Sequence, residues 1–276
     1  MEYLKFSFSV DPVIPGNEVL IAYLGDMGFE SFTENEKGFE AFIQKNDFKN
    51  EMLPVINEFE GLYFSIVRED IPSQNWNTEW EKNFSPVEVE DKILIRAPFH
   101  PKSSTSALEI VIMPKMSFGT GHHDTTWLMC RNIFQLKLSG KSFLDMGCGT
   151  GVLAILGKKL GAERVLGIDI DDWSIENAKE NCEVNEVSEI EILKGDSSLL
   201  VTEKFDVIAA NINRNVLMND IPVYSSVLNN SGTLLLSGFF ETDFTKLISL
   251  AENKGLELVK SESRNSWGIL ILQKKI

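Results

Sequence analysis

Residues 142 to 155 read SFLDMGCGTGVLAI: a short apolar strand closing on Asp145, a turn crowded with Gly147, Gly149 and Gly151, then a helix-forming run. A second strand, VLGIDID, closes on Asp169. Residues without a Cβ let the backbone turn sharply and approach a ligand, and the helix N-terminus beyond them presents free N–H groups. An acid at the next strand end can accept both hydroxyls of a ribose. The spacing describes a nucleotide cradle. A dinucleotide fingerprint would place its third glycine at position 152, where Val152 stands, so a pyrophosphate fits less well than a ligand with one adenosine and no phosphates. S-adenosyl-L-methionine meets that description.

Two flanking segments add polar groups. MSFGTGHHDTTWLMC, residues 116 to 130, lies directly before the cofactor strand. Its glycines around Thr120 make a mobile or tightly turned loop, and Asp124, Thr125 or Thr126 can cap the helix that begins there. Such a loop can fold over a ligand, with Thr126 offering a hydroxyl to the ligand's carboxylate. Downstream, VIAANINRNVL places Asn211 at the carboxyl edge of a strand, where ligands of open α/β sheets lie. There its amide oxygen can hold an N–H and orient an incoming amine. Asp196, in LKGDSS, stands where an acid could accept from an adenine amino group.

The rest of the composition narrows the chemistry. Cys130, Cys148 and Cys182 are odd in number and in no C-x-x-C spacing, so neither a disulfide framework nor a zinc site is indicated. His100, His122 and His123 have no metal-ligand spacing, and no metal is expected. No apolar run approaches the ~18 residues that cross a bilayer, and the opening MEYLKFSFSV alternates, so a cytoplasmic protein without membrane contact is expected. The formal charge is −15, and residues 1 to 65 hold 12 acids against 4 bases, a net of −8. Such a surface repels nucleic acid phosphates and attracts a basic protein, although acidity also serves solubility alone.

The elements that must position these residues follow from periodicity. Leu4, Phe6, Phe8 and Val10 alternate as a strand; Val19, Leu20, Tyr23, Leu24 and Met27 recur at helical spacing up to Gly28. Two short strands (30–33 and 39–44), a helix through Met52, Leu53, Ile56 and Phe59, and a strand at 63–67 complete the order βαββαβ. That order predicts a small α+β ferredoxin-like domain over residues 1–67. Residues 68–100, with Trp76 and Trp80, read as a linker ending in a strand at 93–97. From 101 to 276, strands at 109–113, 143–145, 165–170, 191–194, 207–211 and 233–237 alternate largely with helices, which predicts an α/β domain with a largely parallel sheet covered on both faces. Strands at 257–260 and 269–273 have too short a connection for a crossover and must be antiparallel neighbours.

The combination SFGTGHHDTT, LDMGCGTGVLAI, GIDID and ANINRNVL, with the linker WNTEWEKNFSPVEV, resembles the ribosomal protein L11 methyltransferase family over nearly the whole chain. The resemblance implies a seven-stranded Rossmann-like methyltransferase domain behind a small substrate-recognition domain, with S-adenosyl-L-methionine as cofactor. It implies cofactor contacts from Thr126, Gly147, Asp169 and Asn211, to which the cradle reading adds Gly149, and His123 matches the family histidine. The activity implied is methylation of lysine ε-amino and N-terminal α-amino groups of a basic large-subunit ribosomal protein by a monomer that does not bind nucleic acid directly. A methyltransferase for RNA or a small molecule, or a non-catalytic module that binds adenosylmethionine, would use the same cradle.

Overall fold

Strict alternation builds the first strand: β1 (Tyr3–Asp11) buries Leu4, Phe6, Phe8 and Val10 and turns Lys5, Ser7 and Ser9 to the other face. The computed structural model describes residues 3–54, 59–71, 84–102 and 107–276, which divide into two units, Met1–Asn83 and Phe84–Ile276. In the first unit helix α1 (Val13–Asp26) buries Leu20 and Leu24. Strands β2 (Ser31–Asn35), β3 (Gly38–Gln44) and β4 (Tyr63–Ile71) join β1 in an antiparallel sheet of order β2-β3-β1-β4. Phe8 and Phe39 face each other in register, their rings stacked 4.6 Å apart. The expected second helix is represented by a 3₁₀ turn at Asn50–Met52, and residues 55–58 lie outside the described residues.

Of the residues read as a linker, 68–71 complete β4 and 84–100 belong to the second unit. Trp76 and Trp80 lie outside the described residues. Here β5 (Val87–Val89) and β6 (Ile93–Arg96) form a small sheet with β7 (Leu108–Val111), order β5-β6-β7. The sequence pattern assigned β7 to the large sheet; its hydrogen-bond partner is β6, with Ile95 opposite Ile110.

The large sheet has the order β10-β9-β8-β11-β12-β14-β13, built from β8 (Ser142–Met146), β9 (Arg164–Asp169), β10 (Glu191–Lys194), β11 (Phe205–Asn211), β12 (Leu228–Phe240), β13 (Leu256–Arg264) and β14 (Trp267–Lys274). The first five are parallel, and β14 runs antiparallel between β12 and β13, as the short connection requires. Helices α2 (Asp124–Phe134), α3 (Val152–Lys159) and α4 (Asp172–Val184) share one core with Phe143, Val165, Val207 and Leu235. Helices α5 (Arg214–Val227) and α6 (Phe244–Glu252) share a second core with Leu144, Leu166, Ile208 and Leu234. Alternate residues of each strand thus feed opposite cores, which is why these strands read as continuous apolar runs. No helix among the described residues is long and apolar enough to cross a membrane.

Because Phe39 is fully buried and stacked in the first unit's core, Phe39→Ala is expected to cost that unit about 3–5 kcal/mol. Hydrogen exchange checks this: amides of β1 and β3 exchange faster, while those of β8 and β11 keep their protection.

Candidate active site

Strand register lines up the residues that carry chemistry. Met146 pairs with Ile168 on one side and Ala210 on the other, so the next residue of each strand, Gly147, Asp169 and Asn211, stands in one row at the carboxyl edge. Lys194 pairs with Asp169, and Gly195 and Asp196 extend the row. Between β8 and β11 the strand order reverses, the point at which crevices open in parallel sheets. A cavity of about 460 Å³ lies there, bounded by Gly147, Gly149, Asp169, Asp196 and Asn211, with Met116, Phe118, Ile170 and Trp173 as its apolar side. That volume suits a nucleoside-sized ligand.

Cradle and acid are bonded to each other. Gly147 and Gly149 have φ of 72° and 52°. A Cβ on Gly147 would lie 2.1 Å from the Ile212 side chain, and one on Gly149 would lie 2.3 Å from the Phe118 carbonyl oxygen. Part of the glycine pattern therefore admits protein neighbours. Gly149 N–H donates to Asp169 Oδ2 (2.8 Å) and Asp171 N–H to Oδ1 (3.1 Å), leaving lone pairs on both oxygens for ribose hydroxyls. Behind the turn, Asp145 is buried and accepts from Ala154 N–H (2.9 Å), while its Oδ1 has no partner among the described residues. Burial pushes its carboxyl up to about 7, with the charge of Asp169 adding to the rise. Cys148 in the same turn is buried, and burial raises its thiol far above the ordinary range, which makes it inert.

The 116–121 loop, read as either mobile or tightly turned, is tightly held. Thr150 donates its N–H to Phe118 O (2.9 Å) and its hydroxyl to Gly119 O (2.7 Å). The cap of α2 comes from a residue earlier than expected: His123 Nδ1 accepts from Thr125 N–H (3.3 Å). Asp124 instead pairs with Arg264 (3.0 Å). Thr126 is buried and does not line the cavity; Asn211 Nδ2 donates to its hydroxyl (3.4 Å), so Thr126 reaches the crevice through Asn211. That bond leaves Asn211 Oδ1 buried without a partner among the described residues.

Several neighbours escaped the sequence reading. An aromatic wall runs from Phe118 to His123 (5.2 Å between rings), from His123 to Trp267 (4.6 Å) and from Trp267 to Phe240 (4.2 Å), with Phe118 and Phe240 half-exposed. Phe240 and Trp267 are register partners across β12 and β14, a proximity that no local spacing encodes. Asp220, held by the buried Tyr224 hydroxyl (3.2 Å), also lines the crevice. Asp196 accepts from Ser198 N–H (2.9 Å), and hydrogen bonding from Ser198 lowers its carboxyl below the usual range.

A family model described as ribosomal protein L11 methyltransferase (PrmA) matches residues 22–275. The chain belongs to that family. Among relatives named ribosomal protein L11 methyltransferase, one from Porphyromonas gingivalis is 45% identical, covering 98% of this chain and 97% of its own length. Another from Chlorobaculum tepidum is 35% identical over 99% and 97% of the two chains. The crystal structure of ribosomal protein L11 methylase from Lactobacillus delbrueckii subsp. bulgaricus matches with a TM-score of 0.64 at 28% identity, covering 70% of this chain and 99% of that one. As a member of this methyltransferase family the protein takes S-adenosyl-L-methionine as cofactor, and the crevice fits it: a carboxylate with lone pairs for a ribose, and a buried amide oxygen in want of a donor.

The Asp145 environment gives a pH signature. Its folded carboxyl, at about 7, lies above the unfolded reference of 3.8, so the folded state holds the extra proton and loses stability as pH rises between those values. Asp145→Asn keeps an acceptor for Ala154 without the titration. The variant should gain on the parent between pH 4 and 7, by at most about 1.4 kcal/mol per pH unit, then run parallel above pH 8. Urea unfolding across that range checks it; a difference independent of pH contradicts the assignment.

Proposed function

We propose that this protein transfers methyl groups from S-adenosyl-L-methionine to amino nitrogens, lysine ε-amino and N-terminal α-amino groups, of the basic ribosomal protein L11 in the cytoplasm. The observation that carries the reading is the buried Oδ1 of Asn211, without a partner among the described residues, beside Gly147 at the switch point. When bound, the cofactor supplies a sulfonium-activated methyl group to a nitrogen lone pair. The remaining work falls to side chains of the chain itself.

Asn211 is assigned to orient the incoming amine, its Oδ1 accepting an N–H once substrate enters, while the bond from Asn211 Nδ2 to Thr126 holds the amide. Asp169 is assigned to the ribose and Gly147 and Gly149 to the cradle; Asp196, kept ionised by Ser198, is assigned to the adenine amino group. A lysine at its reference pKa near 10.4 needs roughly 4.6 kcal/mol to lose its proton at pH 7, against about 1 for an α-amino group. The apolar lining of the crevice, Phe118 with Met116, Ile170 and Trp173, is assigned that step: such a surface takes water away from an ammonium and lowers its pKa. The acidic residues of the N-terminal unit favour encounter with a basic protein and reject nucleic acid.

Incubation with labelled cofactor and separated ribosomal components tests the assignment: label in protein L11 is expected. Label in ribosomal RNA, or tight cofactor binding without any transfer, overturns it. Removing residues 1–83 should leave cofactor affinity nearly intact and collapse methylation of the protein substrate; full-rate methylation by the shortened chain would assign recognition to the second unit. Asp169→Ala should weaken S-adenosylhomocysteine binding by tenfold or more in calorimetry, since both ribose acceptors and the Gly149 bond are lost together.

A further inference from the structure

Helix α4 and its C-terminal cap carry asparagines at 177, 181 and 185, spaced to share one face, and all three are buried. A buried amide is costly unless it is hydrogen-bonded, so their partners show what they do. Asn185 ties β7 to the end of the helix: its Oδ1 accepts from Val111 N–H (2.9 Å), and its Nδ2 donates to Val111 O (2.6 Å) and to Asn181 O (2.8 Å). Asn181 divides its amide between two segments. Its Oδ1 accepts from Met113 N–H (2.8 Å), where the chain leaves β7 for the glycine loop, while its Nδ2 donates to Thr150 O (2.9 Å) inside the cofactor cradle. Asn177 Nδ2 adds a bond to Met113 O (3.2 Å).

Thr150 is thereby held on every polar atom of its backbone and side chain: N–H to Phe118 O, hydroxyl to Gly119 O, carbonyl to Asn181. The bonds close a circuit from Met113 through Asn181 and Thr150 to Phe118 and back along residues 114–117. The neighbour of Thr150, Gly149, gives its N–H to Asp169, so a shift of the Thr150 carbonyl moves the ribose acid's own partner. On the reading of this crevice as the cofactor site, we infer that Asn181 is a positioning residue: one side-chain amide fixes the cradle and the base of the 114–121 loop to each other, so that both halves of the crevice stay in register.

Three variants of the full chain separate positioning from plain stability. Asn181→Ala breaks both bonds; Asn181→Asp keeps an acceptor for Met113 and sets an oxygen against Thr150 O; Asn185→Ala breaks the bonds to Val111 and to the Asn181 backbone carbonyl while both Asn181 side-chain bonds stay in place. Calorimetry with S-adenosylhomocysteine well below the melting temperature, with hydrogen exchange, reads the result. Both Asn181 variants are expected to raise Kd about tenfold and to speed exchange in 114–121 and 147–151. Asn185→Ala is expected to lower Tm comparably and leave Kd within twofold. Wild-type affinity in Asn181→Asp, or an equal loss of affinity in Asn185→Ala, overturns the inference; should Asn181→Ala not fold, Asn181→Asp decides alone. A parent chain that binds no S-adenosylhomocysteine overturns the cofactor assignment itself.

Discussion

The bond from Gly149 N–H to Asp169 Oδ2 is the constraint on which the site depends. A turn leaving a parallel strand exposes backbone donors that no neighbouring strand can satisfy, and buried donors must find partners. Asp169, at the end of the next strand, meets that need and keeps oxygen lone pairs directed at the crevice. One carboxylate therefore closes the cradle and offers acceptors to a ligand. The second strand of the cradle can end nowhere else: a register shift of one residue would turn Asp169 to the opposite face and bring the fully buried Ile168 into its place.

Acids placed close together in the second unit take on different characters through their surroundings. Asp145 lies behind the cradle where burial favours the neutral form, whereas hydrogen bonding from Ser198 holds Asp196 ionised at the rim. Charge is thus kept at the surface of the crevice and reduced behind it. A sulfonium ligand and a basic protein substrate both benefit from negative potential at the mouth, and the backbone bond to Ala154 needs only an acceptor, which a neutral carboxyl supplies as well.

Legibility in the sequence followed the range of each interaction. The strand ends that carry Gly147, Asp169 and Asn211 and the antiparallel final strands are readable because each strand-turn-helix segment or hairpin is fixed by local sequence. The assignment of β7 failed because an isolated apolar strand carries no mark of which sheet it joins, and its partner β6 is set by tertiary pairing. The cap of α2 was misplaced because Asp, Thr and His all accept a backbone N–H; the choice fell to His123 once Asp124 was drawn to Arg264. The asparagines of α4 were passed over since polar residues on a helix usually face water, and their spacing alone does not tell a buried face from a wet one.

The histidines sharpen the chemistry of the proposed transfer. His100 accepts from Ala97 N–H and meets Phe84 O through Nε2; His122 sits between Thr120 and Ser85; His123 caps α2 and packs against Trp267. All of these contacts are structural, which leaves no histidine placed by its bonding as a general base. In the proposed transfer, deprotonation of a lysine is therefore assigned to the surroundings of the amine and not to a histidine. An apolar lining that includes Phe118 beside Asn211 favours the neutral amine in the proposed transfer, because it disfavours the ammonium while the amide still accepts one N–H. Removing the lining would therefore act on the fraction of amine in the reactive form, whereas removing the amide would act on its direction of approach.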